Sequence, residues 1–400
     1  MVGCGEYMNE QGHPKERFLL MEGGPLYRIE KRVGIIRTSV PITKRRALLA
    51  ILLTWLPLLV FSLIQGTAYG NRVPVPFLHD FSVHTRFLLT VPLLLLAETV
   101  LGPRIAEAAE QFVTSGVVIE KDYERFDAAV ARSLQLRDSV VAELVIALMA
   151  YTFSLMSFLH LGVHISSWSA TRTDTTTSLT WAGWWLLGVC APLLQFLILR
   201  WFWRLFLWFQ FLAKICKFDI QLFPTHPDQA GGLGFVGEAQ RFFGILLFAY
   251  SITICGVFAN QIVYDRIPLQ HFAPLIAIYV IMAVGIILGP LVIFTGKLLQ
   301  TKHHGLYQYG ALATSYTGLF HKKWIRDEDV ENEPLLGTGD IQSLADLANS
   351  YAVIEKMNAL PMSPRTLLQL IVASLLPMVP LLFTVMPWRE VLKLLMKILV

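Results

Sequence analysis

Apolar positions in this chain gather into long unbroken runs and do not alternate with polar ones. Residues 47–71, 173–199 (apart from Asp174), 242–264, 272–296 and 366–388 carry no charged side chain. Each run approaches the ~20 residues that a helix needs to cross a ~30 Å hydrocarbon layer. In lipid every backbone N–H and C=O must find its partner inside the segment, so each run predicts a helix. A membrane barrel would instead show short alternating strands. Adding two weaker segments, the pattern predicts crossings at 47–66, 83–102, 140–161, 181–201, 242–263, 272–295 and 366–387. The fold class is therefore all-α: a polytopic membrane bundle of about seven helices.

The polar stretches divide the rest. Residues 1–46 form an amino-terminal segment, and 47–296 hold six crossings with soluble segments at 103–139 and 200–241. A helical region with an acidic loop follows at 297–365, and 366–400 hold the last crossing and a terminal amphipathic helix. Within 105–139, "LQLRDSVVAEL" has no Pro or Gly and reads as running continuously into the third crossing. The fourth and sixth crossings likewise extend past the bilayer. An amphipathic helix is expected from about Ile341 to Met357, with Thr338 or Asp340 as its N-cap.

Charge sets a direction. With the amino terminus inside, 26 of the 33 Lys and Arg residues fall on the cytoplasmic side and 7 outside. That bias is the positive-inside pattern and predicts a multi-pass cell (inner) membrane protein with a cytoplasmic amino terminus and cytoplasmic helical extensions. Arg389, Lys393 and Lys397 recur every fourth residue, as in a helix lying on a membrane surface.

Composition adds exclusions. Apolar residues make up 54% and charged residues 16%, against roughly 25% charged in soluble domains. A net charge of +4 makes no case for nucleic acid, so the lipid bilayer is the expected partner, with a homo-oligomer compatible. Four scattered cysteines suggest neither a disulfide frame nor a zinc site, and the pattern implies no metal and no cofactor.

Two sets of residues carry candidate chemistry. In "HPDQAGGLGFVG" (226–237), Gly232, Gly234 and Gly237 spell G-x-G-x-x-G. That fingerprint has meaning between a strand and a helix, with an acidic residue ~20 positions on; here a membrane helix follows, and 242–264 hold no Asp or Glu. A turn is the simpler reading, with Gly231 and Gly232 supplying positive φ. His226, Asp228, Gly231 and Gly232 remain a candidate inner-face ligand or acid–base site, His226 being of a type that titrates near neutrality.

The second set lies inside the crossings, where ionisable groups are costly and often functional. Arg86 falls near the outer end of the second crossing, Glu98 near its inner end, and Glu143 near the inner end of the third. The two carboxylates are expected at similar depth, sharing a proton or cation or held by Arg104 and Arg137. Asn260 ends a small polar stripe on the fifth crossing. A channel or transporter for a cation, proton or small solute follows, its pathway between the second, third and fifth crossings. In outline the chain is similar to insect chemoreceptor channels, a likeness of topology with no shared motif. The alternatives are a membrane-embedded enzyme using His226 and Asp228, or a sensor or assembly subunit.

Overall fold

A computed structural model describes residues 7–8, 14–15, 17–25, 27–28, 42–161, 167–172, 177–326 and 339–384. Among them, seven helices are long and apolar enough to cross a membrane, close to the runs seen in the sequence. The expected acidic loop and the basic terminal helix at 389–400 lie outside the described residues.

Burial ranks the crossings. The second (Phe81–Thr114) and fifth (Gly234–Val263) have 56% of their apolar window buried inside the protein, against 17% for the third, Val140–Leu159. The second and fifth therefore form the centre, and the first (Ile42–Ile64) and third present much of their apolar surface outward. Such surface is stable only against lipid or another chain. The fourth crossing, Trp181–Ile215, and the long sixth segment, Leu269–Trp324, pack around the centre, and the seventh, Pro364–Thr384, closes it against the fifth.

Local chemistry starts these helices where the sequence permits. The Asp80 side chain accepts from Val83 N, Thr180 from Gly183 N and Ser363 from Thr366 N, each satisfying an orphan N–H of a first turn. Two crossings carry an unusual feature near their starts. The second widens into a π-helical turn at Thr85–Thr90 and the fourth at Leu186–Cys190. Pro92 and Pro192 follow each by two residues. Proline removes a backbone donor and disfavours helix just before it, so a widened turn at that place relieves the mismatch.

Two expectations are corrected. The helix Tyr123–Arg137 does not run into the third crossing: it stops at Asp138, and Ser139 accepts from Ala142 N to start the next helix. The break has a cause the local sequence does not show, because Asp138 accepts from Gly24 N at 2.8 Å and from Arg137. The helix Asp340–Glu355 is present, but its cap position is Gly339, with no side-chain cap bond. Phe18, Leu20 and Met21 are buried in the same core as the crossings, with Phe18 stacked on Phe211 at 4.5 Å between ring centroids.

The hairpin Ala170–Arg172/Thr177–Leu179 sits at the end of the bundle opposite this segment. Gly183 lets it approach: a Cβ there would collide with the carbonyl oxygen of Ser169. Gly183→Ala is expected to lose about 1–3 kcal/mol, as overpacking at backbone contact does, read as a lower unfolding temperature in detergent together with faster proteolysis between residues 167 and 180. An unchanged unfolding temperature would mean the hairpin does not dock there.

Candidate functional site

Glu98 lies at the centre of a buried ion cluster. Only 7% of the residue is exposed, and its Oε2 accepts from Arg46 Nη1 at 2.8 Å. Its Oε1 accepts from Arg204 Nη1 at 2.8 Å and Arg200 Nη1 at 3.4 Å. Arg200 and Arg204 are one helical turn apart, so they present two guanidiniums on the same face of the fourth crossing. Glu143 stands 3.9 Å from Arg200 Nε. Glu98 and Glu143 both approach Arg200, which stands between them. The expected holders take other partners, Arg104 pairing with Glu107 and Arg137 with Asp138. Among the described residues three guanidiniums meet two carboxylates, Glu98 and Glu143, an excess of positive charge that opposes a free cation there.

The amino-terminal segment covers this cluster. Arg204 Nη2 donates to Met21 O at 2.9 Å and Arg200 Nη2 to Gly23 O at 3.3 Å. Arg137 Nη1 donates to Leu19 O and Glu22 O. The guanidiniums thus use their remaining donors on backbone carbonyls, and residues 18–24 become a strap tied across the basic face of the bundle. For Asp138, which anchors the strap, burial raises the pKa, and the Arg137 fork with Gly24 N outweighs it and holds the carboxyl below its ordinary range.

Arg86 occupies the other half of the second crossing. It lines a cavity of 370 Å³ together with Ser154, Ser157, Gln195 and Thr253, so the second, third, fourth and fifth crossings all contribute. Both π turns reach its wall, through Arg86 and Phe87 on one side and Leu186 and Leu187 on the other. The Nε of Arg86 is buried and has no hydrogen-bond partner among the described residues, and neither has Oε1 of Gln195. The nearest carboxylate influence comes from Asp80. That side chain is already engaged by Val83 N, by Asn260 Nδ2 at 2.7 Å and by Trp168 Nε1 at 2.7 Å.

Asn260 is therefore a fastener. It donates to Asp80 and accepts from Phe81 N, tying the fifth crossing to the start of the second, and it does not line the cavity. Along the second crossing, an apolar layer of the buried Val91 and Leu94 falls between the cavity residues Arg86 and Phe87 and the Glu98 cluster. Trp201 Nε1 donates to Leu94 O at 3.1 Å and ties the fourth crossing to it.

His226 and Asp228 line a separate open groove of 440 Å³ on the basic face, with Gly231, Gly232, Gly234 and Glu238. Asp228 organises its own loop: the carboxylate accepts from Ala230 N at 2.8 Å, Gly234 N at 2.8 Å and Gly232 N, and His226 Nδ1 lies 2.7 Å away. Gly231 and Gly232 have φ of +66° and +98°, the conformation that glycine adopts without strain. Gly234 opens the helix Gly234–Arg241, and the element before it is the helix that ends at Ile215, not a strand, so the strand–turn–helix geometry of nucleotide binding is absent there.

Burial raises the Asp228 pKa, but the donors of Ala230 and Gly234, then His226 and Gly232, outweigh it and bring the carboxyl below its usual range. A lowered folded-state pKa gives stability that is present above the unfolded value of ~3.9 and lost as pH falls through the folded one. Asp228→Asn is therefore expected to cost about 1–3 kcal/mol at neutral pH and to flatten the loss of stability below about pH 4. Unfolding temperatures measured from pH 7 down to acid would show this; parallel curves for the two proteins would contradict it.

The sequence missed Arg46, Arg200 and Arg204 as partners of Glu98. Two arginines spaced i, i+4 in "LILRWFWRLFLW" were the available signal. It also missed Gln240, fully buried, which accepts from Trp208 Nε1 at 3.0 Å and donates to Ile287 O, joining the fourth, fifth and sixth crossings. Among the described residues no group of His, Cys, Asp and Glu is arranged to hold a metal. Compared with known protein families, curated proteins and solved structures, the chain matches none of them.

Proposed function

We propose that this multi-pass membrane protein is a carrier for a small solute, with the Arg86 cavity as its binding site and the strapped Glu98 cluster as the opposite gate. The strap face is cytoplasmic in this reading, because it is the face rich in Lys and Arg. The observation that carries the proposal is the cavity itself, walled by four crossings and ending on an apolar layer. A pocket that stops midway suits alternating access better than a continuous pore. Movement also has pivots, because the second and fourth crossings each combine a π turn at the cavity wall with a proline two residues beyond it.

Net positive charge at the Glu98 cluster and an arginine in the cavity favour a solute other than the cation or proton that the carboxylates suggested. An enzyme at His226 is less favoured, since Asp228 is spent on its own loop. One observation supports an assembly subunit: the helices Thr295–Trp324 and Asp340–Glu355 pack together and expose Tyr307, Trp324 and Ile341.

Uptake into proteoliposomes tests the carrier reading, using labelled panels of small anions, cations and neutral solutes. Saturable uptake of at least one class, accelerated by unlabelled solute on the far side, is expected. No uptake of any class above that of protein-free liposomes would refute it.

A further inference from the structure

We infer that the cavity takes an organic anion, a carboxylate or a phosphate ester, that also carries an N–H or O–H donor and a short apolar body. This rests on the reading of the cavity as a binding site. The Nε of Arg86 is sealed from solvent with no hydrogen-bond partner, and no carboxylate of the described residues lies within ion-pair distance of the guanidinium. Asp80, whose field reaches it, has both oxygens committed to neutral donors. A guanidinium kept within a crossing under these conditions is costly to the fold, and an anion is the chemistry that offsets the cost, since a guanidinium binds carboxylate or phosphate through paired, charge-assisted hydrogen bonds.

Gln195 supplies the second element. Its Oε1 is another buried atom without a partner, on a residue that lines the same cavity, and an acceptor left open can turn to a donor on the ligand. Ser154, Ser157 and Thr253 add hydroxyls that can serve the remaining anion oxygens. The rest of the wall is apolar, with Phe87, Phe158, Leu186, Leu194 and Ile198, which fits a short hydrocarbon portion. A volume of 370 Å³ lies at the small end of ligand pockets.

Two sources share this chemistry, a soluble hydroxy or amino acid and the headgroup of an anionic lipid such as phosphatidylglycerol. Full-length protein in phosphatidylcholine nanodiscs is titrated calorimetrically with 2-hydroxyhexanoate, hexanoate and 1,2-hexanediol. In a second arm, nanodiscs containing phosphatidylglycerol are examined by native mass spectrometry for retained lipid. Binding of 2-hydroxyhexanoate but not the diol assigns a soluble anion; retained phosphatidylglycerol assigns the lipid; either supports the inference. Arg86→Gln is expected to weaken binding by about 10- to 100-fold while leaving the unfolding temperature equal or higher, because a half-buried charge without an ion-pair partner among the described residues has gone. Gln195→Leu is expected to lose about 3- to 10-fold, and more for the hydroxy acid than for hexanoate.

The inference is overturned if neither arm shows binding, if Arg86→Gln binds as well as the native protein, or if that variant unfolds at a lower temperature, which would make Arg86 a structural group. Binding without uptake in the liposome assay would remove the carrier reading and leave this one standing. Uptake of a neutral or cationic solute that Arg86→Gln does not slow would do the reverse.

Discussion

Glu98→Gln should be the most destabilising single substitution in the bundle, by about 3–5 kcal/mol. Glu98 is the carboxylate that Arg46, Arg200 and Arg204 share, at 2.8, 3.4 and 2.8 Å, and each of the four residues is at most 8% exposed. An amide of the same shape keeps the packing and removes the negative charge, so three guanidiniums would face one another in a low-dielectric interior. The converse is informative: removing a cation as well, in Glu98→Gln with Arg204→Gln, should recover part of the loss. Groups in one network are coupled, and a double-mutant cycle would give a coupling of about 0.5–3 kcal/mol. Thermal unfolding of the four proteins in the same detergent measures it. Additive losses would mean that the cluster is an accident of proximity.

The second large effect is expected at the strap. Phe18 and Met21 are both at most 2% exposed, and Phe18 packs against Trp208 and Phe211. Truncating a buried Phe and a buried Met usually costs about 3–5 and 2–5 kcal/mol, more than a short peripheral segment can supply by itself. Phe18→Ala with Met21→Ala should therefore release the strap as a local opening while the crossings stay folded. The expected signs are cleavage by added protease after Arg17 or Glu22 at least about tenfold faster, and little change in the main unfolding transition. In the carrier reading, release also removes the cover from Arg200 and Arg204, so solute uptake should rise. A strap that stays protected, or a bundle that collapses with it, would show that residues 18–24 belong to the core in a different sense from the one described.

These two sites mark the line between what the sequence disclosed and what it did not. The crossings were legible because lipid demands ~20 apolar residues in a row, and 242–263 or 272–295 satisfy that whatever their neighbours do. The positions of Glu98 and Glu143 along their crossings were legible for the same reason, because the rise of a helix is fixed. Their partners were not, since Arg46, Arg200 and Arg204 come from two other crossings and only packing brings them together. Asp138 repeats the lesson, because it breaks a helix for the sake of Gly24, far away in the chain. In the loop at 226–237 the glycine spacing alone was ambiguous, whereas the turn residues Asp228, Gly231 and Gly232 correctly implied local backbone work. Asn260 was read as part of a polar stripe, and nothing in that stripe could reveal that Asp80 would claim it.

Accessibility of a cysteine at position 157 tests most directly the proposal that a solute cavity opens away from the strapped face, which the carrier reading takes as cytoplasmic. Ser157 is exposed and lines the cavity beside Arg86, and a thiol reacts with maleimide only where water lets it ionise. With Cys4→Ser as background, Ser157→Cys should be labelled by a membrane-impermeant maleimide added to intact cells, and bound organic anion should slow the reaction. Labelling seen only in inside-out vesicles, or in neither preparation, would contradict the account.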